Sequence, residues 1–288
     1  MHILRNAIVV GAFACQWPLW PVRKIIRQNL DTINYLKVTL LNLKKWNWGI
    51  AIERQPHLWV FDDWSDTYFH WTFDVLVKLQ LLHAQTECKQ VALPGYLNNN
   101  SFVVQSLQLL GFQITVLEPR TYLFKQLIAH VNIPYFSPPV LIDLRQRILL
   151  TIKPPAQATR IFISRQYAGR RQLLNEITLF KQLQAKGFEL VYLEKMKWQD
   201  QVALFQTAEM VVGMHGAGLS NLMYCTRLKL VIELLPASTT NQLYQLLAAN
   251  LSLPYRAVAI DSQTDPHAPN IAISDVAIEQ VLNHINSI

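Results

Sequence analysis

The sequence predicts an α/β protein made of two Rossmann-type halves, each built on a parallel sheet. Three observations lead to this prediction. Short runs of β-branched and other apolar residues alternate with helix-like segments along most of the chain. Polar and basic residues directly follow predicted strands, at the edge where parallel sheets bind ligands. A Pro154-Pro155 pair divides the chain near its middle, so we expect one domain over residues 1–150 and another over residues 151–272.

The first half begins with an apolar segment, Ile8 to Cys15, that we expect to form a strand. It has only about half of the roughly 20 residues that a transmembrane helix requires, and no clear signal-peptide cleavage pattern follows it. We therefore expect a cytoplasmic chain, soluble or peripheral at the inner face of the membrane. Further strands are predicted at 58–61, 90–93 and 113–117, and helices at 68–85, 100–110 and 140–150.

The second half begins with Ile161-Phe162-Ile163, a predicted strand that Ser164 and Arg165 follow directly. At the end of the chain, residues 274–288 carry apolar side chains at helical spacing, and Ser274 is a suitable N-cap. Strands and helices that alternate at short intervals favour a parallel sheet. Between these two points we expect helices at 173–186 and 198–207 and strands at 188–193, 210–214 and 230–235.

The junction that follows the strand at 210–214 reads His215-Gly216-Ala217-Gly218. A helix that begins here offers unpaired N–H groups to a phosphate, and glycines can adopt positive φ and let an anion approach the backbone. His215 adds a donor, while Arg165 and Arg170 add forked, permanently charged donors. These residues predict a site for a diphosphate that needs no metal and no other cofactor.

Three more polar residues lie near this predicted site. Glu233 stands within the strand VIELLP, where its carboxylate can accept hydrogen bonds from ribose hydroxyls or pair with a neighbouring protein group, because an unpaired buried acid is costly. Asn221 either contacts phosphate or sugar or is an ordinary polar residue of the first helical turn. Of the adjacent Arg170 and Arg171, one must point away from the site, so Arg165 is the stronger prediction.

These motifs, in this order, resemble glycosyltransferase family 61. The resemblance is carried by ISRQYAGRR…NE from residue 163, by Gln201 and Phe205 in a helix, and by VVGMHGAGLSNLMY and VIELLP. A second block carries the family's His-Trp-x-x-Asp signature at His70, Trp71 and Asp74. The resemblance implies a GT-B-like fold with two Rossmann-type domains facing a cleft, and inverting sugar transfer from a nucleotide donor. It also implies that a last helix, residues 273–288, packs back on the N-terminal domain.

His70 and Asp74 are the candidates for the catalytic base that acts on the acceptor. Four residues apart on a predicted helix, they share one face and can converge on a single hydroxyl. An inverting transfer needs one base to take the proton of the attacking hydroxyl, and either residue can be that base while the other orients it. The alternative is structural, with His70 packed in the protein and Asp74 paired with Lys78. Trp71 is expected in the core.

Three alternatives remain open at this point, one of mechanism and two of function. Three carboxylates near a strand end, Asp62, Asp63 and Asp66, can hold magnesium or manganese beside a diphosphate, although their spacing matches no recognised metal site. A nucleotide-sugar epimerase can use the same architecture without a separate acceptor. A non-catalytic nucleotide- or sugar-binding subunit can retain the residues at 215–218 and lack a working base.

Composition indicates a globular chain. Hydrophobic residues make up 51% of the 288 and charged residues 16%, which excludes a disordered protein. The three cysteines, Cys15, Cys88 and Cys225, are odd in number and widely spaced. That pattern fits a reducing compartment and argues against a disulfide framework or a zinc site.

Positive charge is concentrated at the N-terminus. Residues 1–50 hold seven Lys and Arg but one acid, Asp31, so six of the seven net charges lie there, together with four tryptophans. A basic surface with tryptophans is typical of contact with an anionic membrane, while the alternative is an ordinary solvated face. We expect three partners: a nucleotide-sugar donor, a glycan or lipid-linked saccharide acceptor of polysaccharide biosynthesis, and this membrane surface. A UDP-sugar is the preferred donor. We expect no contact with nucleic acid.

Overall fold

The structure, a computed structural model, describes residues 1–10, 13–16, 50–118, 121–129, 138–155, 157, 159–169, 171–237, 239–260 and 270–288. The chain divides into two compact units, Met1–Ile148 and Leu149–Ile288. Arg170 and residues 17–49 of the basic segment lie outside the described residues, so the predictions made on them stay predictions. Among the described helices, none is both long and apolar enough to cross a bilayer.

The N-terminal unit is built on a mixed sheet. In the described part of this unit the strand order is β2-β1-β7-β4-β5-β6, and β3 also pairs with β7. The strands are β1 (His2–Val10), β2 (Phe13–Gln16), β3 (Ile50–Glu53), β4 (His57–Trp59), β5 (Gln90–Pro94), β6 (Gln113–Leu117) and β7 (Thr121–Ala129).

Two of these strands differ from the prediction of a parallel sheet. β1 pairs antiparallel with both β7 and β2, whereas β7, β4, β5 and β6 pair in parallel. The predicted single strand from Ile8 to Cys15 is in fact the adjoining ends of β1 and β2. Strands separated by two residues in sequence can pair only as an antiparallel hairpin, because a parallel connection needs a crossover of a dozen or more residues.

Helices of this unit follow the predicted positions closely. The helical segment 68–86 consists of α1 (Tyr68–His70), a π-helical turn (Trp71–Val75) and α2 (Leu76–Thr86). It is followed by a 3₁₀ turn (Gly95–Asn99), α3 (Ser101–Leu109) and α4 (Pro138–Thr151). Trp71 is 1% exposed and donates from its indole Nε1 to Ser106 Oγ at 2.9 Å, which confirms the prediction that it lies in the core.

The C-terminal unit contains a five-stranded parallel sheet in its described part, as predicted, in the order β10-β8-β11-β12-β13. A separate short pair is formed by β9 and β14. The strands are β8 (Thr159–Ile163), β9 (Gln172–Leu173), β10 (Phe188–Val191), β11 (Ala208–Met214), β12 (Leu230–Pro236), β13 (Tyr255–Ile260) and β14 (Asn270–Ile271).

Helices connect these strands. They are α5 (Glu176–Gln184), a 3₁₀ turn (Leu193–Lys195), α6 (Trp198–Thr207), a 3₁₀ helix (Ala217–Tyr224), α7 (Leu243–Asn250) and α8 (Asp275–Asn286). Ser274 caps α8, as predicted, because its side chain accepts from the N–H of Ala277 at 3.3 Å. The buried face of α8 joins the core beneath β8, β11 and β12. Its predicted return onto the N-terminal domain stays a prediction.

The winding of the C-terminal sheet creates a place for a ligand. From β8 the chain first moves to β10 on one side and then crosses to β11 on the other side of β8. Such a reversal leaves a crevice outside the carboxyl ends of the two strands that diverge, here β8 and β11. Arg165 lies two residues after the end of β8 and His215 directly follows β11, so these predicted diphosphate residues flank the crevice.

Candidate functional site

Arg165 is fixed by the loop that follows β8. Its backbone N–H donates to Glu176 Oε2 at 2.9 Å, while the hydroxyl of Ser164 donates to Oε1 of the same carboxylate at 2.6 Å. Its side-chain Nε donates to the carbonyl oxygen of Arg171 at 2.9 Å. Backbone and guanidinium are therefore both held, and Glu176, at the start of α5, is the residue that fixes this corner.

Charged groups of both signs act on Arg165 at this corner. Burial lowers the pKa of Arg165 and the positive charge of Arg171 lowers it further, while the carboxylates of Glu194 and Glu176 raise it. A cation disfavoured by burial and by a like charge is stabilised when an anion binds beside it. This is the electrostatic condition for a diphosphate site.

Arg171, which the sequence analysis ranks below Arg165, has an unusual backbone conformation. Its φ of 56° puts a non-glycine residue in the left-handed region, which is uncommon and is often found at functional sites. That conformation accompanies the contact of its carbonyl with Arg165. No pattern in the sequence indicates a left-handed arginine, because the preference normally belongs to glycine and asparagine.

Gly216 is required for space and not for positive φ, which corrects the prediction. Its φ of 166° is extended backbone that any residue can adopt. A Cβ on Gly216, however, would lie 2.1 Å from Nη1 of Arg165, so the guanidinium packs directly on this glycine. Gly218 is also not among the described positive-φ glycines, and a Cβ there would lie 2.9 Å from Cδ1 of Leu193. Ala217 between them is exposed.

His215 is oriented by a buried acid. Its Nδ1 lies 2.5 Å from Oε1 of Glu233, and the hydroxyl of Tyr255 donates to Oε2 at 2.5 Å. Because an ionised carboxylate only accepts hydrogen bonds, Nδ1 carries the proton and Nε2 is the nitrogen left for a ligand. Glu233 is 2% exposed and uses both oxygens within the protein, so the geometry gives it the role of orienting His215; a contact with ribose stays a prediction.

Tyr244 completes the wall beside the imidazole. Its ring meets that of His215 edge to face, with centroids 5.2 Å apart. Burial raises the pKa of Tyr244 and the negative charge of Glu233 raises it as well, whereas the positive charges of Arg171 and Arg165 lower it. The sequence contains no signal for this residue, since it reaches the site from α7.

Asn221 lies in the interior of the 3₁₀ helix 217–224. It is fully buried, and its Nδ2 donates to Oε1 of Gln201 at 2.9 Å and to the carbonyl of Gly218 at 3.2 Å. Gln201 in turn donates to the carbonyl of Leu193 at 2.9 Å. These bonds link the helix to α6 and to the 3₁₀ turn Leu193–Lys195. They support the alternative of a positioning residue, and a contact with donor stays a prediction.

Asp74 forms the ion pair that sequence reasoning offered as its structural alternative. Its Oδ1 lies 2.7 Å from Nζ of Lys78, and both side chains are buried. Burial raises the pKa of Asp74, the charge of Lys78 lowers it, and the neighbouring carboxylate of Asp62 raises it again. A carboxylate tuned by opposing neighbours is suited to exchange protons, so the base assignment stays a prediction.

His70 lies at the start of the π-helical turn that contains Asp74. Its ring stacks on Trp64, with centroids 5.8 Å apart and planes inclined by 28°, and Trp64 is 62% exposed. Single π-helical turns inside α-helices are rare and are frequently found at functional sites. The spacing of His70 and Asp74 in the sequence predicts a shared face but cannot predict this turn.

The acidic segment before this helix forms a tight turn. Oδ1 of Asp62 accepts from the N–H of Trp64 at 3.0 Å and from the hydroxyl of Ser65 at 3.0 Å. Among the residues that the structure describes, no three His, Cys, Asp or Glu side chains converge closely enough to hold a metal ion. That the reaction needs no metal stays a prediction.

The structure thus brings together Arg165, His215, Gly216 and Glu233 within the C-terminal unit, and it places His70 and Asp74 on one helical segment of the N-terminal unit. Comparison with known proteins bears on both groups. The family model described as Glycosyltransferase 61 matches residues 68–232, more than half of the chain. The sequence is also 31% identical over 113 residues to an EGF domain-specific O-linked N-acetylglucosamine transferase from Drosophila melanogaster, a match that covers 38% of this chain and 22% of that relative. From the extent of the family match, this chain belongs to glycosyltransferase family 61.

Proposed function

We propose that this protein is an inverting glycosyltransferase that moves a sugar from a nucleotide-sugar donor to a glycan or polysaccharide-precursor acceptor. A UDP-sugar is the preferred donor in this proposal. One observation carries the proposal: the guanidinium of Arg165 packs on Gly216 at the crevice between β8 and β11, beside an imidazole oriented by Glu233. Membership of a glycosyltransferase family favours transfer over the epimerase alternative.

In this proposal, the C-terminal unit stabilises the leaving diphosphate. As the bond between the sugar and the diphosphate breaks, negative charge grows on the diphosphate, and fixed donors that face it lower the barrier. Arg165 supplies a forked cation, and Arg171 adds a second positive charge nearby. The first N–H groups of the 3₁₀ helix 217–224, which have no partner within the helix, point toward the same anion in this proposal.

His215 adds a directed contact. With Nδ1 bonded to Glu233, Nε2 faces the ligand, and the carboxylate charge compensates a proton held by the ring. Tyr255 holds the other oxygen of Glu233, so the imidazole is fixed before the donor binds. A preformed contact of this kind needs no reorganisation during the reaction.

Acceptor activation falls to the N-terminal unit in this proposal. Inversion requires a base that removes the proton of the attacking hydroxyl. Asp74 is the first candidate because its pKa lies above that of an ordinary Asp, owing first to burial, which makes it a better proton acceptor. His70 is the second candidate. We propose no metal, since cations and N–H groups of the protein supply the positive charge.

A binding experiment tests the donor site. Isothermal titration calorimetry with UDP, GDP and CMP should find one nucleotide that binds the wild type, equally in EDTA and in manganese. Arg165→Ala should weaken that binding by about 1.5–3 kcal/mol, the value of a charged hydrogen bond. Arg160→Ala is the matched control, because Arg160 lies at the opposite end of β8 and donates to the carbonyl of Lys186. Equal losses in both variants, or binding only with manganese, would contradict the proposal.

A turnover experiment separates the enzyme classes. The name of the Drosophila relative makes UDP-N-acetylglucosamine the first donor to test. Transfer should depend on an added saccharide acceptor, whereas an epimerase would convert the donor alone. Asp74→Ala should abolish transfer and leave nucleotide binding unchanged. Transfer that survives this substitution would reject Asp74 as the base, and nucleotide binding without any turnover would favour the binding-subunit alternative.

A further inference from the structure

The loop that holds Arg165 also carries an aromatic cluster that the diphosphate contacts do not use. Tyr167 is 49% exposed, and its ring meets that of Tyr192 edge to face with centroids 5.3 Å apart. The ammonium group of Lys195 lies 3.7 Å from the centroid of Tyr167 and 5.4 Å from that of Tyr192. This cation–π contact orders an exposed aromatic side chain that would otherwise move freely.

The cluster lies at the ligand-binding edge of the sheet. Tyr167 follows β8, and Tyr192 follows β10, which is the parallel neighbour of β8 on the side away from β11. The N–H of Ser164 donates to the carbonyl of Val191 at 2.9 Å, which ties the two strand ends together. The aromatic cluster is therefore next to the corner where Arg165 is fixed.

A carboxylate near the aromatic cluster in sequence also acts on Arg165. Glu194 is exposed in the 3₁₀ turn after β10, yet its negative charge acts on the guanidinium of Arg165. In nucleotide-binding α/β units, an acid just beyond the second strand is well placed to accept hydrogen bonds from ribose hydroxyls. In this unit β8 is the first strand and β10 the second, so Glu194 occupies that place. Glu233 does not, since both its oxygens are engaged within the protein.

We propose that Tyr167, Tyr192 and Glu194 form the nucleoside subsite of the donor. The base stacks on the face of Tyr167 opposite Lys195, and Tyr192 supports that ring edge to face. The ribose hydroxyls donate to Glu194, while the diphosphate continues to Arg165. This inference rests on the proposed function and deepens it. It assigns the nucleoside to the β10 side of the crevice, where an aromatic ring can stack on the base.

Hydrogen bonds hold the residues on both sides of Tyr167. Nε2 of Gln172 donates to the carbonyls of Gln166 and Ala168 at 3.0 and 3.1 Å, and the N–H of Ala168 donates to the carbonyl of Arg165 at 3.0 Å. Tyr167 is therefore held between two anchored neighbours. A platform ordered before binding loses little entropy when the base stacks on it.

Calorimetry with two probes tests the subsite: UDP, and inorganic pyrophosphate, which has no nucleoside. Tyr167→Ala should lower UDP affinity by about fivefold to a hundredfold, the range of base stacking, and leave pyrophosphate affinity unchanged. Tyr167→Phe should retain most of the affinity for UDP. Tyr96→Ala is the matched control, because Tyr96 is 47% exposed but lies in the N-terminal unit. Glu194→Gln should reduce the preference for UDP over its 2′-deoxy and 3′-deoxy forms.

The outcomes separate this inference from the function on which it rests. If UDP and pyrophosphate bind and Tyr167→Ala affects both equally or neither, the nucleoside subsite is wrong while the diphosphate site stands. An unchanged preference for UDP over both deoxy forms in Glu194→Gln removes Glu194 from the subsite. If neither probe binds the wild type, both proposals fail.

Discussion

Burial raises the pKa of Asp74, and two charged neighbours modify this effect. Lys78 lowers the pKa and Asp62 raises it. If Asp74 must be ionised for transfer, the acid limb of kcat/KM follows its pKa. Asp62→Asn removes a group that raises the pKa, so the limb should move to lower pH. Lys78→Met removes a group that lowers the pKa, so the limb should move to higher pH.

The pH profiles of transfer should therefore shift in opposite directions in Asp62→Asn and Lys78→Met. Lys229→Met is the control, because Lys229 belongs to an exposed ion pair with Glu209 at 3.1 Å and its loss should leave the profile unchanged. Lys78→Met removes one partner of a buried pair, which costs about 3–5 kcal/mol, so its melting curve must first show a folded protein. A profile that stays in place in both Asp62→Asn and a folded Lys78→Met would exclude Asp74 as the titrating base.

At the residue scale, the sequence predicts where a site residue lies in the fold better than it predicts the hydrogen-bond partners of that residue. Arg165 and His215 were found because they directly follow strands, and strand ends can be read from local patterns. The contacts of Glu233 join β12 to His215, which follows β11, and to Tyr255 in β13, and the order of strands in a sheet is not a local property. The sequence therefore predicts a carboxylate within this strand but cannot predict its neighbours.

The junction between β11 and the 3₁₀ helix 217–224 is the element on which the donor site depends most. Gly216→Ala would place a methyl group 2.1 Å from Nη1 of Arg165. Because that atom is the far end of a long side chain, the guanidinium can move aside at small cost to folding, but it then leaves the crevice. We expect nucleotide affinity to fall about as far as in Arg165→Ala, with a melting temperature close to that of the wild type.

Gly169→Ala is the matched control for this prediction, because it lies in the same loop as Arg165 and a Cβ there meets nothing within 4 Å. Calorimetry with the bound nucleotide and a melting curve should therefore show no change in this variant. If Gly216→Ala binds nucleotide as the wild type does, the position of Arg165 beside Gly216 is not the one that binds the donor.

At the element scale, local patterns predicted seven of the strands and most of the longer helices within a few residues. They did not predict the long strand β7, the strand β13 or the helix α7, and they failed where the element depends on packing. The antiparallel β1 depends on its partner β7, more than a hundred residues away, and the π-helical turn at Trp71–Val75 accommodates five consecutive buried residues. Neither condition leaves a mark on local hydrophobic periodicity.

For the whole molecule, the uneven distribution of charge along the chain bears on membrane binding. Six of the seven net positive charges lie in residues 1–50, so the rest of the protein is nearly neutral. A neutral body with a basic, tryptophan-containing segment should bind anionic vesicles through that segment, at about 1 kcal/mol for each Lys or Arg near the surface. Lys44→Ala with Lys45→Ala should therefore lower partitioning into phosphatidylserine vesicles by about thirtyfold at low salt.

Cosedimentation at two salt concentrations tests this expectation. Raising the ionic strength from about 0.01 M to 0.15 M shortens the screening length from about 30 Å to about 8 Å, so binding should weaken in the wild type. The control replaces Lys181 and Lys186, two exposed lysines of the C-terminal unit, and should bind as the wild type does. If this control loses as much binding, attraction follows total charge and not the N-terminal segment. If wild type binds neutral vesicles equally well, the basic residues are a solvated face and a lipid-linked acceptor loses its main physical support.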